Sequence, residues 1–275
     1  MPNETKHARV FNSVRSLPLC ALCALVSISA FGQGERTKQN VAEAIKKIKQ
    51  GDFFPVDVEE IAEAGAVEAI PALKEQFGRK VDPSQKDDLD PGGKAKIASA
   101  LVRLGEQDAV YWDFLVEKAT EAINSDIPFP REFDSQGKML SDYSPAFLQW
   151  AKDHGVSPGE AGEMAVYRLP GKLESLAETG DRRGLELLRW AMKSPNYMIQ
   201  AMAAKGLAKL QDRDSIPTII AACQNSPWAA PAIAEALIYF DDPQAQTGAE
   251  KFVPKDLFQA LRNEKGVRLH DPFAE

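Results

Sequence analysis

The sequence predicts an all-α fold, an α-solenoid of about five antiparallel helix pairs with one inserted segment. Two observations support this prediction. From residue 37 onward apolar residues recur at spacings of three and four, as in Val41, Ala44 and Ile48, and no alternating run typical of strands exceeds about four residues. In addition, an apolar residue near the end of one helix is followed nine residues later by another, and this step recurs along the chain.

Residues 1–32 have the three parts of a secretory signal peptide. The basic first part contains Lys6, Arg9 and Arg15. Residues 17–31 then form an uncharged run of 15 residues, which is shorter than the ~20 apolar residues of a spanning helix. The small residues Ala30 and Gly32 predict cleavage before Gln33, and a second cleavage position lies two residues earlier. We therefore expect an exported protein, periplasmic or extracellular, without a stable membrane span.

Two alternatives keep the N-terminal segment attached to the membrane. A lipoprotein would use Cys20 or Cys23, but each follows a leucine where lipid attachment requires a small residue. An uncleaved anchor would require a longer apolar run. Both alternatives stay open beside the cleaved signal.

The charge of the chain argues against a nucleic-acid partner. The whole sequence has a net charge of -7, and the signal segment contains three basic residues and one acidic residue, so the mature chain would carry -9. Proteins that bind nucleic acids need a basic face for the phosphates. The mature chain would also keep one cysteine, Cys223, which excludes an internal disulfide.

The helix pairs are identified by their leading apolar residues and by the residues nine positions later. The four clear pairs are Ile61 with Ile70, Leu101 with Val110, Leu176 with Leu185, and Leu207 with Ile216. A fifth pair begins at Leu237. The residue nine positions later is Gln246, and the apolar residue next to it is Ala245. These positions assign residues 33–123 to N-terminal repeats, 162–253 to C-terminal repeats and 254–275 to a tail.

The turns inside the predicted pairs contain helix-capping residues. Asp181, Asp212 and Asp242 lie where a carboxylate would accept hydrogen bonds from the first free N–H groups of the following helix. Pro71 and Pro217 directly follow the apolar residue that opens the second helix, where a missing N–H costs little.

Two segments resemble HEAT repeats, including those grouped as phycobilisome-lyase-like. These are Ala69-Ile70-Pro71-Ala72-Leu73 and Asp214-Ser215-Ile216-Pro217-Thr218-Ile219-Ile220, each after an Ala-rich helix. The resemblance covers about residues 56–123 and 162–253. It implies stacked helix pairs in a right-handed solenoid, with the second helices lining the concave side. It identifies the fold and leaves the function open.

Two segments depart from the repeat pattern. Residues 81–93 form a polar loop, in which Asp88, Asp90 and Gly93 match three places of a calcium-binding loop, whereas Gly92 and Ser99 occupy places that need oxygen ligands. A solvated loop is therefore the better interpretation. Residues 124–161 form an inserted, aromatic-rich segment, which is longer than stacking requires.

The sequence offers no catalytic constellation, and we predict no enzyme, no cofactor and no metal. Two histidines and one cysteine in the mature chain are too few for a zinc site. Cys223 falls on the packing face of a second helix, so we expect a buried structural thiol. His154 precedes a glycine and is expected at a helix end, where its charge complements the helix dipole.

The predicted partner-binding residues are aromatic, apart from one arginine. Trp112 and Trp190 are expected to point away from the packing face of their helices, toward the concave surface, together with Tyr111. The inserted segment contributes Phe129, Arg131 and Phe133 around a rigid proline. For the two tryptophans the competing interpretation is packing against the neighbouring repeat. For the inserted segment it is that Phe147, Leu148 and Trp150 cover an exposed edge of the repeat core.

These features favour an exported scaffold that binds another protein and has no catalytic activity. The alternative is a lyase or chaperone-like enzyme of the bilin-lyase-like HEAT group, which rests on the resemblance alone. A third class, an assembly factor acting on another secreted polypeptide, would use the same surface as the scaffold.

Overall fold

A computed structural model describes residues 39–79, 91–134 and 139–262, and within these ranges the chain is almost entirely helical. The predicted all-α class is confirmed. The predicted signal segment and the loop residues Asp88 and Asp90 lie outside the described residues. The helices are α1 (39–50), α2 (Pro55–Glu63), α3 (Ile70–Gly78), α4 (Pro91–Arg103), α5 (Ala109–Ile123), α6 (Pro145–Asp153), α7 (Pro158–Glu163), α8 (Leu169–Glu178), α9 (Leu185–Ala191), α10 (Tyr197–Lys209), α11 (Ile216–Asn225), α12 (Ala230–Ala234), α13 (Pro243–Phe252) and α14 (Lys255–Arg262).

Irregular helical turns extend two of these helices. One π-helical turn, Met164–Arg168, joins α7 to α8, and a 3₁₀ helix, Glu235–Tyr239, continues α12. A short antiparallel hairpin, β1 (Glu132–Phe133) with β2 (Met139–Ser141), lies between α5 and α6. The sequence did not predict this hairpin, because its strands are too short to show an alternating pattern.

Five helix pairs form the solenoid, namely α2–α3, α4–α5, α8–α9, α10–α11 and α12–α13. Each first helix contacts the first helix of the next pair, and α4 contacts α8 directly across the inserted segment. All five predicted leading residues are at most 2% exposed: Ile61, Leu101, Leu176, Leu207 and Leu237. Burial of these side chains between neighbouring pairs supplies the driving force for stacking.

The second pair departs from the nine-residue step. In three pairs a 3₁₀ turn precedes the second helix, at Val67–Ala69, Arg182–Gly184 and Arg213–Ser215. Before α5 this turn is missing, and Asp108 caps the helix from extended backbone. Val110 is consequently 47% exposed and Tyr111 only 6% exposed. The expectation that Tyr111 points away from the core is therefore wrong.

Helices outside the five pairs cover both ends of the described array. Val41, Ala44 and Ile48 of α1 are buried, and the amide Nε2 of Gln76 donates to the Ile48 carbonyl at 2.6 Å. At the other end α14 contacts α13 and the 3₁₀ helix Glu235–Tyr239, and Phe258 of α14 is buried. Part of the predicted tail, 254–275, is therefore a packed helix. None of the helices in the described ranges is both long and apolar enough to cross a membrane.

Ion pairs connect successive first helices. Arg103 of α4 binds Glu59 of α2 with an N–O distance of 2.6 Å, and Lys96 of α4 binds Glu178 of α8. Farther along, Lys205 of α10 lies 2.9 Å from Glu235, and its side chain is 1% exposed. A buried ammonium needs such a partner, because an unpaired charge in the interior is strongly destabilising.

Gly206 marks the closest approach between first helices, and replacing it with alanine tests the packing. A β-carbon at position 206 would lie 2.8 Å from Cβ of Ala177 and 3.0 Å from both terminal methyl groups of Leu188. We expect Gly206→Ala to lower the free energy of unfolding by about 1–3 kcal/mol in urea denaturation, because the core is already filled.

Gly171 of α8 provides the matched control, since nothing lies within 4 Å of a β-carbon placed there. Gly171→Ala should be neutral or stabilise by up to ~1 kcal/mol through its better helix propensity. Equal effects of the two substitutions would contradict the packing described for α8 and α10.

Candidate partner-binding site

The inserted segment forms a strap, residues 124–157, which leaves the end of α5 and leads into α7. It contains the β1–β2 hairpin and α6. The Ser144 N–H donates to the Pro130 carbonyl at 2.6 Å and thereby closes the base of the hairpin. Ser144 also caps α6 by accepting from the N–H of Phe147, whose ring is fully buried. These contacts give the strap a defined conformation.

An aromatic cluster fastens the strap to the fourth and fifth pairs. Phe129 packs edge-on against Tyr197 at the start of α10, with ring centroids 4.5 Å apart. Phe133 stacks on Trp228 between α11 and α12 at 4.2 Å, and Tyr197 meets Trp228 at 4.6 Å. Phe129 and Phe133, which were predicted as partner contacts, therefore make their ring contacts inside the chain.

Arg131 lies between these two phenylalanines and is half-buried. Burial raises the pKa of the Tyr197 hydroxyl to about 12, while the charge of the neighbouring Arg131 acts in the opposite direction. In the three described ranges Arg131 makes no ion pair with a carboxylate. Its guanidinium therefore keeps hydrogen-bonding capacity beside the aromatic cluster.

The two predicted tryptophan contacts have different surroundings. Trp112 is half-buried, and the guanidinium of Arg183 lies 4.2 Å from the centre of its ring, held in turn by Asp181. This cation–π contact joins α5 to the turn before α9. Trp190 of α9 is 42% exposed. Of the predicted site residues in the repeats, Trp190 therefore offers the most surface to a partner.

The strap also exposes apolar side chains that the sequence analysis did not select. Its exposed residues are Met139 at 47%, Leu140 at 58%, Tyr143 at 39% and Leu148 at 42%. Met139 and Leu140 are adjacent in β2. Neither belongs to an apolar repeat of helical spacing, which is the pattern that the sequence analysis used to select residues. Leu148 was expected only to cover an edge of the repeat core. Their exposure depends on how the hairpin and α6 lie against the repeats.

The two side chains considered for chemistry, Cys223 and His154, differ in their surroundings, because Cys223 is buried and His154 is exposed. Burial raises the pKa of the Cys223 thiol to about 12, and its Sγ lies 3.8 Å from the Ala230 carbonyl oxygen. The predicted burial of this thiol is confirmed. His154 ends α6, where Nδ1 lies 2.8 Å from the Trp150 carbonyl and the two rings stack. Across the described ranges, His, Cys, Asp and Glu side chains form no group suited to hold a metal ion.

Trp228 allows a test of the aromatic cluster. We expect Trp228→Ala to lower the free energy of unfolding by about 2–3 kcal/mol, because it removes the ring against which both strap phenylalanines and Tyr197 pack. Trp190→Ala is the control with the same change of side chain at an exposed position, and it should cost about 0.5 kcal/mol or less. Urea denaturation of both variants measures the difference, and equal costs would contradict the cluster.

Comparison with known proteins identifies the repeat. A family model for HEAT repeats matches residues 173–247, which run from α8 to α13. The matched segment lies inside the predicted C-terminal repeats, 162–253. No curated protein matches the sequence. The match agrees with the stacked pairs of the fold, and it identifies residues 173–247 as HEAT repeats.

Proposed function

We propose that this protein is an exported scaffold that binds another protein through the outer face of the strap and has no catalytic activity of its own. The observation that supports this proposal is the exposure of four large apolar side chains on one segment: Met139, Leu140, Tyr143 and Leu148. Such residues in a folded segment are typical of an interaction surface.

The position of the strap in the fold strengthens the proposal. Because α4 and α5 both contact α8 directly, the second and third pairs meet without residues 124–157 between them. The inner face of the strap is held by the aromatic cluster, so its outer face is already ordered before a partner arrives. A preformed surface loses less conformational entropy on binding than a flexible one.

Arg131 supplies a polar contact at the edge of this surface. Its guanidinium can bind a carboxylate or a backbone carbonyl of the partner, since no carboxylate of the described residues pairs with it. Trp190 on α9 is a separate contact of the repeats and fits the aromatic composition of binding hot spots. We retain Tyr111, Trp112, Phe129 and Phe133 as residues that position these surfaces rather than contact the partner.

The inaccessible Cys223 thiol and the position of His154 at a helix end support a non-catalytic role. The lyase or chaperone-like alternative would need a reactive group on the surface, and no contact described above favours one. An assembly factor for another secreted polypeptide stays within the proposal, because it would bind its client through the same strap.

Photo-crosslinking tests the proposed surface. A photoreactive amino acid at position 140 should form a covalent adduct with the partner in the cell. Position 67 is the matched control, because Val67 on the first pair is also 58% exposed and lies outside the strap. We expect adducts from position 140 and none above background from position 67, since a photoreactive group reacts only with atoms that lie next to it.

The same experiment includes substitutions. Leu140→Ser combined with Met139→Ser should reduce the amount of co-purified partner, and Val67→Ser should leave it unchanged. Equal crosslinking from both positions, or full co-purification with the strap variant, would contradict binding through the strap.

Export is tested by the N-terminus of the purified protein. Mass spectrometry of protein from the cell envelope should find a chain that begins at or near Gln33, because the basic segment, the uncharged run and the small residues together form a cleavable signal. Leu25→Arg places a charge inside the uncharged run and should keep the uncleaved chain in the cytoplasm. An intact Met1 terminus in the envelope fraction would refute cleavage.

A further inference from the structure

The first helices of the second and third pairs meet around the side chain of Glu178, which is 5% exposed. One carboxylate oxygen accepts a hydrogen bond from the Lys96 ammonium of α4. The other oxygen, Oε2, is buried and has no hydrogen-bond partner. Glu174, one turn earlier on α8, lies 3.4 Å from the same ammonium. Two carboxylates therefore share one buried lysine.

The other neighbouring helices supply the remaining charges. The negative charge of Glu59 on α2 disfavours a second negative charge on Glu178. The carboxylate of Glu59 is itself bound by Arg103. Lys209 of α10 donates to the backbone carbonyl of Glu178 at 2.6 Å, and its charge also interacts with the Glu178 carboxylate. On α5, the remaining helix packed against α8, Glu121 pairs with Lys172 instead.

These surroundings favour a neutral carboxyl at Glu178. Burial removes water from the charged form, and the like charges of Glu174 and Glu59 act in the same direction. The attraction of Lys96 opposes them. The combined effect raises the pKa of Glu178 to about 7, with burial as the largest cause.

We propose that the junction of α4 and α8 is a pH-sensitive joint of the solenoid, in which Glu178 binds a proton while its contact with Lys96 is kept. The joint connects the pairs that precede the strap with those that follow it. Its protonation therefore acts on the stacking of the two halves of the repeat array. The joint lies apart from the proposed partner surface, so either proposal can fail without the other.

The direction of the effect follows from linkage. A carboxyl whose pKa is raised by folding stabilises the folded state in acid, and this contribution is lost as pH rises through the pKa of the folded state. Stability should therefore fall between pH 5 and pH 8. The pKa values of Glu121, Asp181 and Asp212 are lowered by their basic partners. Their contributions change at more acidic pH, outside this window.

Carboxyl NMR tests the joint directly. In the purified protein labelled with ¹³C-glutamate, the Cδ signal that disappears in Glu178→Gln should titrate with a midpoint near 7. A midpoint below about 5.5 for Glu178 would overturn the proposal, since ordinary scatter reaches about one unit.

Urea denaturation at pH 5 and pH 8 supplies the second readout. The unfolding equilibrium constant of the wild type should rise by about 100-fold over this range, as expected for a shift of roughly two units. Glu178→Gln should remove most of this rise, because the neutral amide imitates the protonated form. Glu186→Gln, at a side chain that is 83% exposed, should retain it. Retention of the full rise in Glu178→Gln would refute the joint.

Discussion

The structure depends on close contact between the first helices of successive pairs. Each pair buries its apolar face only against its neighbours, so the array holds together only if every first helix meets the next one. The contact between α4 and α8 is the most demanding of these, because the strap separates the two helices in sequence. Small residues such as Gly206 and Ala177 permit a similarly close approach between α8 and α10.

The strap turns an insertion into part of the folded array. Its inner aromatic residues bridge from the end of α5 to Trp228, and its exposed apolar residues are Met139, Leu140, Tyr143 and Leu148. Tyr143 combines both properties, because it is partly exposed and stacks on the buried Phe147. Aromatic content alone was therefore an ambiguous signal.

Charged residues between the first helices add a polar component to an otherwise apolar interface. Desolvation makes these pairs costly, and each is tolerated because its partner comes from the neighbouring helix. Arg103 binds Glu59, and Lys205 binds Glu235. At the α4–α8 contact, Lys96 faces the two carboxylates of Glu174 and Glu178.

The sequence by itself determined the helical class, the five pairs and the burial of their leading residues, because apolar periodicity and turn chemistry are local properties. It also predicted an inserted segment at residues 124–161. It could not decide whether Val110 or Tyr111 faces the core, since that depends on whether a 3₁₀ turn precedes α5. Nor could it pair Phe133 with Trp228, or Lys96 with Glu178 at a separation of 82 residues. Such contacts form only when the pairs stack, and the tertiary structure alone decides which distant side chains then meet.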